Sequence, residues 1–165
     1  MDTKTIIVTL VTDRTQADVE RVKALATKGF AGMTADEQAE WLAGMKGAYN
    51  ASDLNRVGTA LNYLAARLSS ICGRSIAWTA KTDWAVTDIP SASQAETYRR
   101  QIQDIRDALA YPAGTPDAPQ LGRLTYTDAN NIERILKLCE DLIVNVAKSF
   151  RHTGAAECAA GGLLT

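Results

Sequence analysis

The sequence predicts a mainly α-helical protein, a helical bundle of about five helices with at most a small two-stranded β ribbon. Five capping signals precede five apolar stripes whose residues recur at spacings of three and four. Only two short segments carry the β-branched or alternating pattern of a strand. The 165 residues, 46% of them apolar, suffice to bury a core without disulfides or a metal. We therefore expect one helical domain over residues 1–153 and a flexible tail over residues 154–165.

The first two predicted elements are a strand and a helix. Residues 4–12 read KTIIVTLVT, a β-branched composition that favours a short strand. Thr15 stands three residues before Asp18, the arrangement of a helix N-cap, and apolar residues follow at helical spacing. Gly29 offers a stop, so the first predicted helix covers about residues 16–28.

The next two predicted helices each begin at a capping box. Thr34 and Glu37 form the first box, and Gly44 limits that helix to a few turns. Asn50 and Asp53 form the second box, which opens a longer helix. Its apolar face consists of Leu54, Val57, Leu61, Leu64, Leu68 and Ile71.

A second strand and a fourth helix follow Gly73. Residues 75–80 alternate with a period of two, which predicts a strand that pairs with residues 4–12. Ser91 and Gln94 then form a capping box before a fourth helix. The apolar face of that helix consists of Tyr98, Ile102, Ile105 and Leu109.

The last predicted elements are a long loop and a long helix. Residues 111–122 contain three prolines and two glycines, which predicts an exposed irregular loop. The final helix begins at Thr125 or Thr127 and reaches about Phe150. We expect its stripe to share one core with the third helix, which predicts that the following residues are buried together: Leu61, Leu64, Leu68, Ile135, Leu142 and Val146.

Composition disfavours several classes of partner. A net charge of −1 gives no electrostatic basis for binding nucleic acid. The apolar runs are too short to span a membrane, so we expect no membrane partner. We also recognise no basic leader with a cleavage site, which predicts a cytosolic product. Three widely spaced cysteines suit reduced thiols, with Cys139 in the core and Cys158 exposed.

The residue pattern gives little basis for catalysis. The single histidine, His152, lies near a predicted helix end, where a solvated cation is the commoner role. The acidic cluster at residues 36–40 occupies the first turn of a helix, where carboxylates offset the helix dipole. No nucleophile triad, metal-ligand spacing or phosphate-binding loop is recognisable. We therefore expect a protein that is not an enzyme and has no catalytic residues, metal or cofactor.

Tryptophans are the remaining candidates for a binding surface. Trp41 falls on the apolar side of the second helix, which favours a core position. Trp78 and Trp84 flank a short polar run that includes Lys81. They either cover a helix pair or present a contact to a partner, and we take Trp84, Trp78 and Lys81 as the candidate partner contact, with Trp84 as the exposed anchor.

Four segments of the chain resemble a known module. They read TDRTQADVERVKAL, MTADEQAEWLAGMKGAYNASDLNRV, KTDWAVTDIP and LTYTDANNIERIL. In this order, over about residues 11–146, they resemble a recurrent module of tail-associated and other virion structural proteins of phages and prophages of gut bacteria. The chain departs from that pattern at its end, HTGAAECAAGGLLT, which leaves open any function of the module's C-terminus.

The resemblance implies a function in assembly or attachment. We expect a virion structural or assembly module that contacts copies of itself, other virion proteins or both, first in the host cytoplasm and then in the virion. The alternative is a small helical regulator or inhibitor that binds a host protein. Oligomeric state and association with particles distinguish the two functions.

Overall fold

The computed structural model describes the backbone of residues 3–161 and the side chains of residues 6–150. This part of the chain is mainly helical, which confirms the predicted helical bundle. No strand occurs in the described range, so the predicted β ribbon is not present there. The six helices are α1 (Thr3–Val8), α2 (Gln16–Lys28), α3 (Ala35–Ala43), α4 (Ala51–Cys72), α5 (Ala92–Asp107) and α6 (Tyr126–Gly161).

Capping residues set the helix starts where the sequence placed them. Thr15, Thr34, Asn50 and Ser91 each accept a hydrogen bond from the third helical residue, whose side chain bonds back to the cap. Thr125 does the same at the start of α6. At the other end of α4, Gly73 adopts the left-handed conformation, with φ of 64°, that a glycine tolerates best.

The three longest helices run in the same general direction. Near the start of α4, Arg56 forms an ion pair with Glu133 of α6. Asp53, also near the start of α4, is linked to Glu133 through Arg14, which binds both carboxylates. Two turns further along α6, Glu140 binds Arg67 of α4. The residue pairs advance together along both helices, so α4 and α6 are parallel. Parallel neighbours need connections that return along the bundle.

Two extended segments make these returns. The middle strap, residues 74–90, runs back along α4, where Asn62 and Asn55 hold it. The side-chain amide of Asn62 exchanges two hydrogen bonds of 2.7 and 3.0 Å with the backbone of Ala80. Asn55 exchanges two of 2.7 and 2.9 Å with Trp84. The strap is therefore extended like a strand, but asparagine side chains take the place of a neighbouring strand.

Gly58, midway between the two asparagines, lets the middle strap approach α4. A Cβ atom at this position would lie 2.2 Å from the carbonyl oxygen of Lys81. The neighbouring helix completes the enclosure, because Gln101 of α5 donates to the Thr79 carbonyl. The strap is thus held between two helices at its centre.

The proline-rich segment forms the second return, the C-terminal strap (residues 108–125). It includes a single 3₁₀ turn at Leu121–Arg123 and is otherwise irregular, as predicted. It is nevertheless fastened to α5: Gln103 accepts from the Ala118 amide at 2.8 Å, and Arg106 donates to the carbonyls of Thr115 and Pro116. Ala118 is buried, so the segment is less exposed than the sequence predicted.

The predicted first strand is wrong, because residues 3–8 form α1. Ile6 and Ile7 pack against the main core, where α1 contacts α4 and α6. Packing of this apolar face outweighs the weak helix preference of β-branched residues. Residues 9–14, the N-terminal strap, then run along α6 with Leu10 buried. Side chains of α6 hold this strap by hydrogen bonds, and no strand within the described residues pairs with it.

The main core joins α4, α5 and α6. The predicted core residues of α4, Leu61, Leu64 and Leu68, are fully buried, and so are Ile135 and Cys139 of α6. Leu142 and Val146 are only half-buried, against the prediction. Val146 lies beyond Ile143, the last buried residue of α6 in the described range, whereas Leu142 lies beside Ile143 at the edge of the buried face. A second, small cluster comprises Leu25, Met33 and Met45, with Val22 and a half-buried Trp41 packed against it.

α6 is longer than predicted. It continues beyond Phe150 to Gly161, so the boundary that we placed at residue 153 falls inside this helix. Alanine is the strongest helix former, and residues 155–160 contain four alanines, a preference that offsets the glycine at position 154. The predicted positions of the His152 and Cys158 side chains lie outside the described residues.

Candidate functional site

The residues predicted to contact a partner lie on the middle strap, and the structure turns both tryptophans inward. Trp84 is only 7% exposed and belongs to the main core, so the expectation of an exposed anchor is wrong. Trp78 is half-buried, and its indole N–H donates to Asp104 of α5 at 2.7 Å. Lys81 is exposed, with its ammonium 4.9 Å from the centre of the Trp84 ring and bonded to Asp83. The strap tryptophans cover a helix pair, which was the alternative interpretation.

A cluster of four charged side chains, three of them buried and Arg56 half-buried, lies where the N-terminal strap meets α4 and α6. Arg14 donates to Asp53 at 2.8 Å and to Glu133 at 2.7 Å. Arg56 is bonded to the same two carboxylates. The two cations and two anions balance, which is the arrangement that permits charged groups to be buried. Glu133 also accepts the Val11 amide at 2.6 Å.

The same cluster fixes the path of the N-terminal strap. Asn130 exchanges two hydrogen bonds with the backbone of Arg14, as the α4 asparagines do with the middle strap. The Arg14 guanidinium lies 5.6 Å from the centre of the Tyr49 ring, and the Tyr49 hydroxyl bonds that of Tyr98 at 2.7 Å. Burial raises the pKa of both tyrosines. These contacts are structural: they hold the strap, the start of α4 and α5 together.

A mainly apolar groove lies beside the connection between α3 and α4. We define the α3–α4 groove as a cavity of about 420 Å³ that α3, the turn into α4 and the end of the middle strap enclose. Asp88 is the one charged residue among its described lining. The apolar lining includes Val22, Trp41, Leu42, Met45, Leu54, Val86 and Pro90.

Large apolar side chains stand exposed around the α3–α4 groove. Leu42 is 75% exposed and Val86 is 96% exposed, and both line it. Ile89 is 90% exposed and lies between two lining residues, Asp88 and Pro90. Single exposed apolar residues are common, but three around one apolar cavity are typical of an interaction site. We refer to Leu42, Val86 and Ile89 as the apolar rim.

Two signals in the sequence point to these features, although neither was recognised. Asn55, Gly58 and Asn62 share one face of α4 at spacings of three and four, an unusual polar and small stripe on an otherwise apolar helix. The strap sequence AVTDIP has apolar residues without a helical or a strand period, which indicates side chains that no element of the chain covers. The charge cluster joins positions more than 100 residues apart, so spacing alone gives no sign of it.

The described part of the chain shows few side chains arranged for metal binding or catalysis. Among those residues, no three His, Cys, Asp or Glu side chains are placed to hold a metal ion. The Glu140 carboxylate is paired with Arg67, and burial raises the pKa of Glu140.

No helix in the described range is long and apolar enough to cross a membrane. In comparisons with known proteins, no family model, curated protein or solved structure matches the chain.

Proposed function

We propose that this chain is a structural or assembly module of a phage virion that acts through protein–protein contacts made at the α3–α4 groove. The observation that carries the proposal is the apolar rim, because three large side chains exposed around one apolar cavity are favourable to bury. The resemblance of four sequence segments to virion structural proteins supports the class of protein. The contacts form in the host cytoplasm during assembly and persist in the virion.

A second copy of the chain is the partner that the shape of this surface favours. A two-fold interface uses the same surface on both subunits, so that surface must carry both protruding and receiving features. Here Leu42 and Val86 protrude, and the cavity beside them receives. Fully burying one such side chain contributes about 1.5–3 kcal/mol, so the rim can anchor a self-association that further contacts at its edge complete.

The test compares two neighbouring substitutions on the middle strap. Val86→Asp places a charge on the apolar rim, whereas Thr87→Asp places the same charge on an exposed residue that does not line the groove. Light scattering after size-exclusion chromatography measures the mass of each variant. We expect the wild type and Thr87→Asp to associate with increasing concentration and Val86→Asp to stay monomeric.

A second measurement addresses the class of protein. Affinity capture from phage-infected or induced cells, with the same two variants, should recover virion proteins with wild type and Thr87→Asp only. A wild-type chain that stays monomeric at high concentration and captures no virion protein contradicts the proposal. Capture of a host protein that Val86→Asp abolishes would favour the alternative, a regulator or inhibitor that uses the same groove.

A further inference from the structure

Residues 16–45 form a unit of their own, which we call the α2–α3 lobe. The buried side chains of Leu25, Met33 and Met45 are the centre of a small apolar cluster whose members all lie within this range. None of the apolar residues of the lobe belongs to the main core or packs against that core. The lobe and the main bundle, which comprises α4, α5 and α6, therefore have separate cores.

Polar contacts do not join the lobe to the main bundle either. Within the described residues, the lobe exchanges no hydrogen bond and no ion pair with residues 49–150. Its charged side chains bind one another instead. Arg21 pairs with Glu37 and Glu40, and Glu37 also accepts from Lys28. The interactions that fix the shape of the lobe thus leave its orientation on the bundle free.

Two short connectors attach the lobe to the main bundle, residues 13–15 before α2 and residues 46–49 before the N-cap of α4. The ammonium of Lys46 lies 2.8 Å from the carboxylate of Asp13, so the two connectors lie side by side. Both side chains reach solvent, where an ion pair contributes little to holding a geometry. A few loop residues at the two ends of one rigid unit are the usual construction of a hinge.

The α3–α4 groove lies across this joint, and its two walls belong to different units. Trp41 and Leu42 line it from the lobe, whereas Leu54 lines it from α4 and Val86 from the middle strap that α4 holds. A turn of the lobe about the connectors therefore changes the width of the groove. It also changes the spacing of the apolar rim, because Leu42 moves with the lobe and Val86 stays with the bundle.

A second cavity, of about 290 Å³, lies along the same joint. Gln16 and Val19 of α2 line one part of it, and Tyr126 and Ala129 of α6 line another. Packed protein interiors contain few voids larger than a water molecule. Two cavities along one joint indicate that the lobe rests on the bundle without close packing, so little contact energy opposes a change in its orientation.

We infer that the α2–α3 lobe is a hinged lid of the α3–α4 groove. In the free monomer the lobe takes several orientations on the bundle, and one of them fits a second copy of the chain. Binding of that copy fixes the lobe, because the bound side chains contact both walls of the groove at once. The apparent affinity is the intrinsic affinity multiplied by the fraction of monomers in the fitting orientation. The identity of the occupant rests on the proposed function, whereas the hinge rests on the joint alone.

The experiment measures residual dipolar couplings of backbone N–H groups in the intact chain labelled with ¹⁵N. One alignment tensor is fitted to α4, α5 and α6, and another is fitted to α2 and α3. The first sample is Val86→Asp, which the proposed interface requires to be monomeric. We expect the lobe tensor to have the smaller magnitude, since motion of the lobe averages its couplings. A single tensor that fits α2 to α6 together overturns the inference.

Two glycine substitutions test the hinge itself. A Cβ atom at Gly47, in the second connector, would lie 2.1 Å from the carbonyl oxygen of Asp18 in α2. Gly47→Ala therefore pushes the connector and the start of α2 apart, and we expect the lobe tensor to turn relative to the bundle tensor. Gly32→Ala is the control within the lobe, because its Cβ meets only Lys28, at an ordinary contact distance of 3.8 Å. A lobe whose orientation responds equally to both substitutions, or to neither, contradicts the hinge.

The wild type separates this inference from the proposed function. At a concentration where light scattering shows a dimer, we expect the wild-type lobe tensor to reach the magnitude of the bundle tensor. A dimer whose lobe is as mobile as in Val86→Asp refutes the lid, although the contact surface stands. A wild type that never dimerises refutes the proposed function, whereas a lobe tensor of smaller magnitude still supports the hinge.

Discussion

Substitution of Gly58 by alanine tests the close approach of the middle strap to α4. In an exposed helix, this change stabilises by about 1 kcal/mol because alanine is the better helix former. Here the added Cβ would lie 2.2 Å from the Lys81 carbonyl oxygen, well inside van der Waals contact. The Cβ atom is fixed to the α4 backbone, and the atom that it would meet belongs to the strap backbone, so no side-chain rotation can relieve the clash. The strap must therefore move away from the helix. The structure therefore predicts that a normally stabilising substitution destabilises this protein.

The magnitude follows from the hydrogen bonds that flank the contact. Asn62 and Asn55 together make four hydrogen bonds to the strap backbone. At about 1 kcal/mol each, loss of the Asn62 pair alone costs about 2 kcal/mol and loss of all four about 4 kcal/mol. After the gain of about 1 kcal/mol from helix propensity, the net loss is about 1–3 kcal/mol. The sign of the change is the decisive quantity.

Urea denaturation followed by circular dichroism measures the free energy of unfolding of each variant. Gly122→Ala serves as the control, because a Cβ there meets no atom within 4 Å. Asn62→Ala in the Gly58→Ala background should cost less than in the wild type, since the strap has already shifted. A Gly58→Ala protein at least as stable as the wild type would refute the close approach.

Three further predictions concern the buried groups. Glu133→Ala leaves Arg14 and Arg56 to share the single carboxylate of Asp53, an uncompensated charge in a largely buried place. We expect urea denaturation to show a loss of about 3–5 kcal/mol, and a loss below about 1 kcal/mol would contradict the cluster. Burial raises the pKa of Cys139 to about 11, so at pH 8 this thiol should react with a thiol reagent only through unfolding, at a rate that urea increases. Burial also raises the pKa of Tyr49 and Tyr98 above the ordinary 10.0. The folded state then keeps protons that the unfolded state releases, so stability should fall as pH rises above 10, and less steeply once both are phenylalanine.

Helix positions were predictable from the sequence because their causes are local. A capping box joins residues three apart, and an apolar stripe repeats within four residues, so Asn50, Asp53 and the face through Leu68 can be recognised together. The core positions of α4 follow from the same periodicity. Val146 shows its limit, since periodicity gives the face of a helix and does not indicate where the neighbouring helices end.

The straps were not predictable because their causes are distant. Residues 75–80 have the alternation of a strand, and they are extended, but their hydrogen bonds go to Asn62 and to Gln101. Whether a segment pairs with a strand or with side chains depends on which element lies beside it. The exposure of Trp84 was wrongly predicted for the same reason: the composition around it is polar, while its side chain packs into the main core. The α3–α4 groove forms only after three separate segments meet.

The use of asparagines to hold extended segments links the fold to the proposed contact surface. A connection between two parallel helices must run back along the length of the bundle. Its backbone N–H and C=O groups then need partners, which the backbone of a neighbouring helix cannot provide because its own groups are already paired. Asparagine side chains provide these partners, because each amide offers both a donor and an acceptor. Asn55 and Asn62 bind the backbone of the middle strap, and Asn130 binds the backbone of the N-terminal strap. Beyond Trp84, no α4 asparagine holds the middle strap, and its apolar residues at positions 86 and 89 are exposed. The last asparagine tether, Asn55, therefore lies just before Val86 and Ile89, the two rim residues on the strap. An Asn55→Ala variant should weaken self-association more than an Asn62→Ala variant does, and equal effects in light scattering would contradict this link.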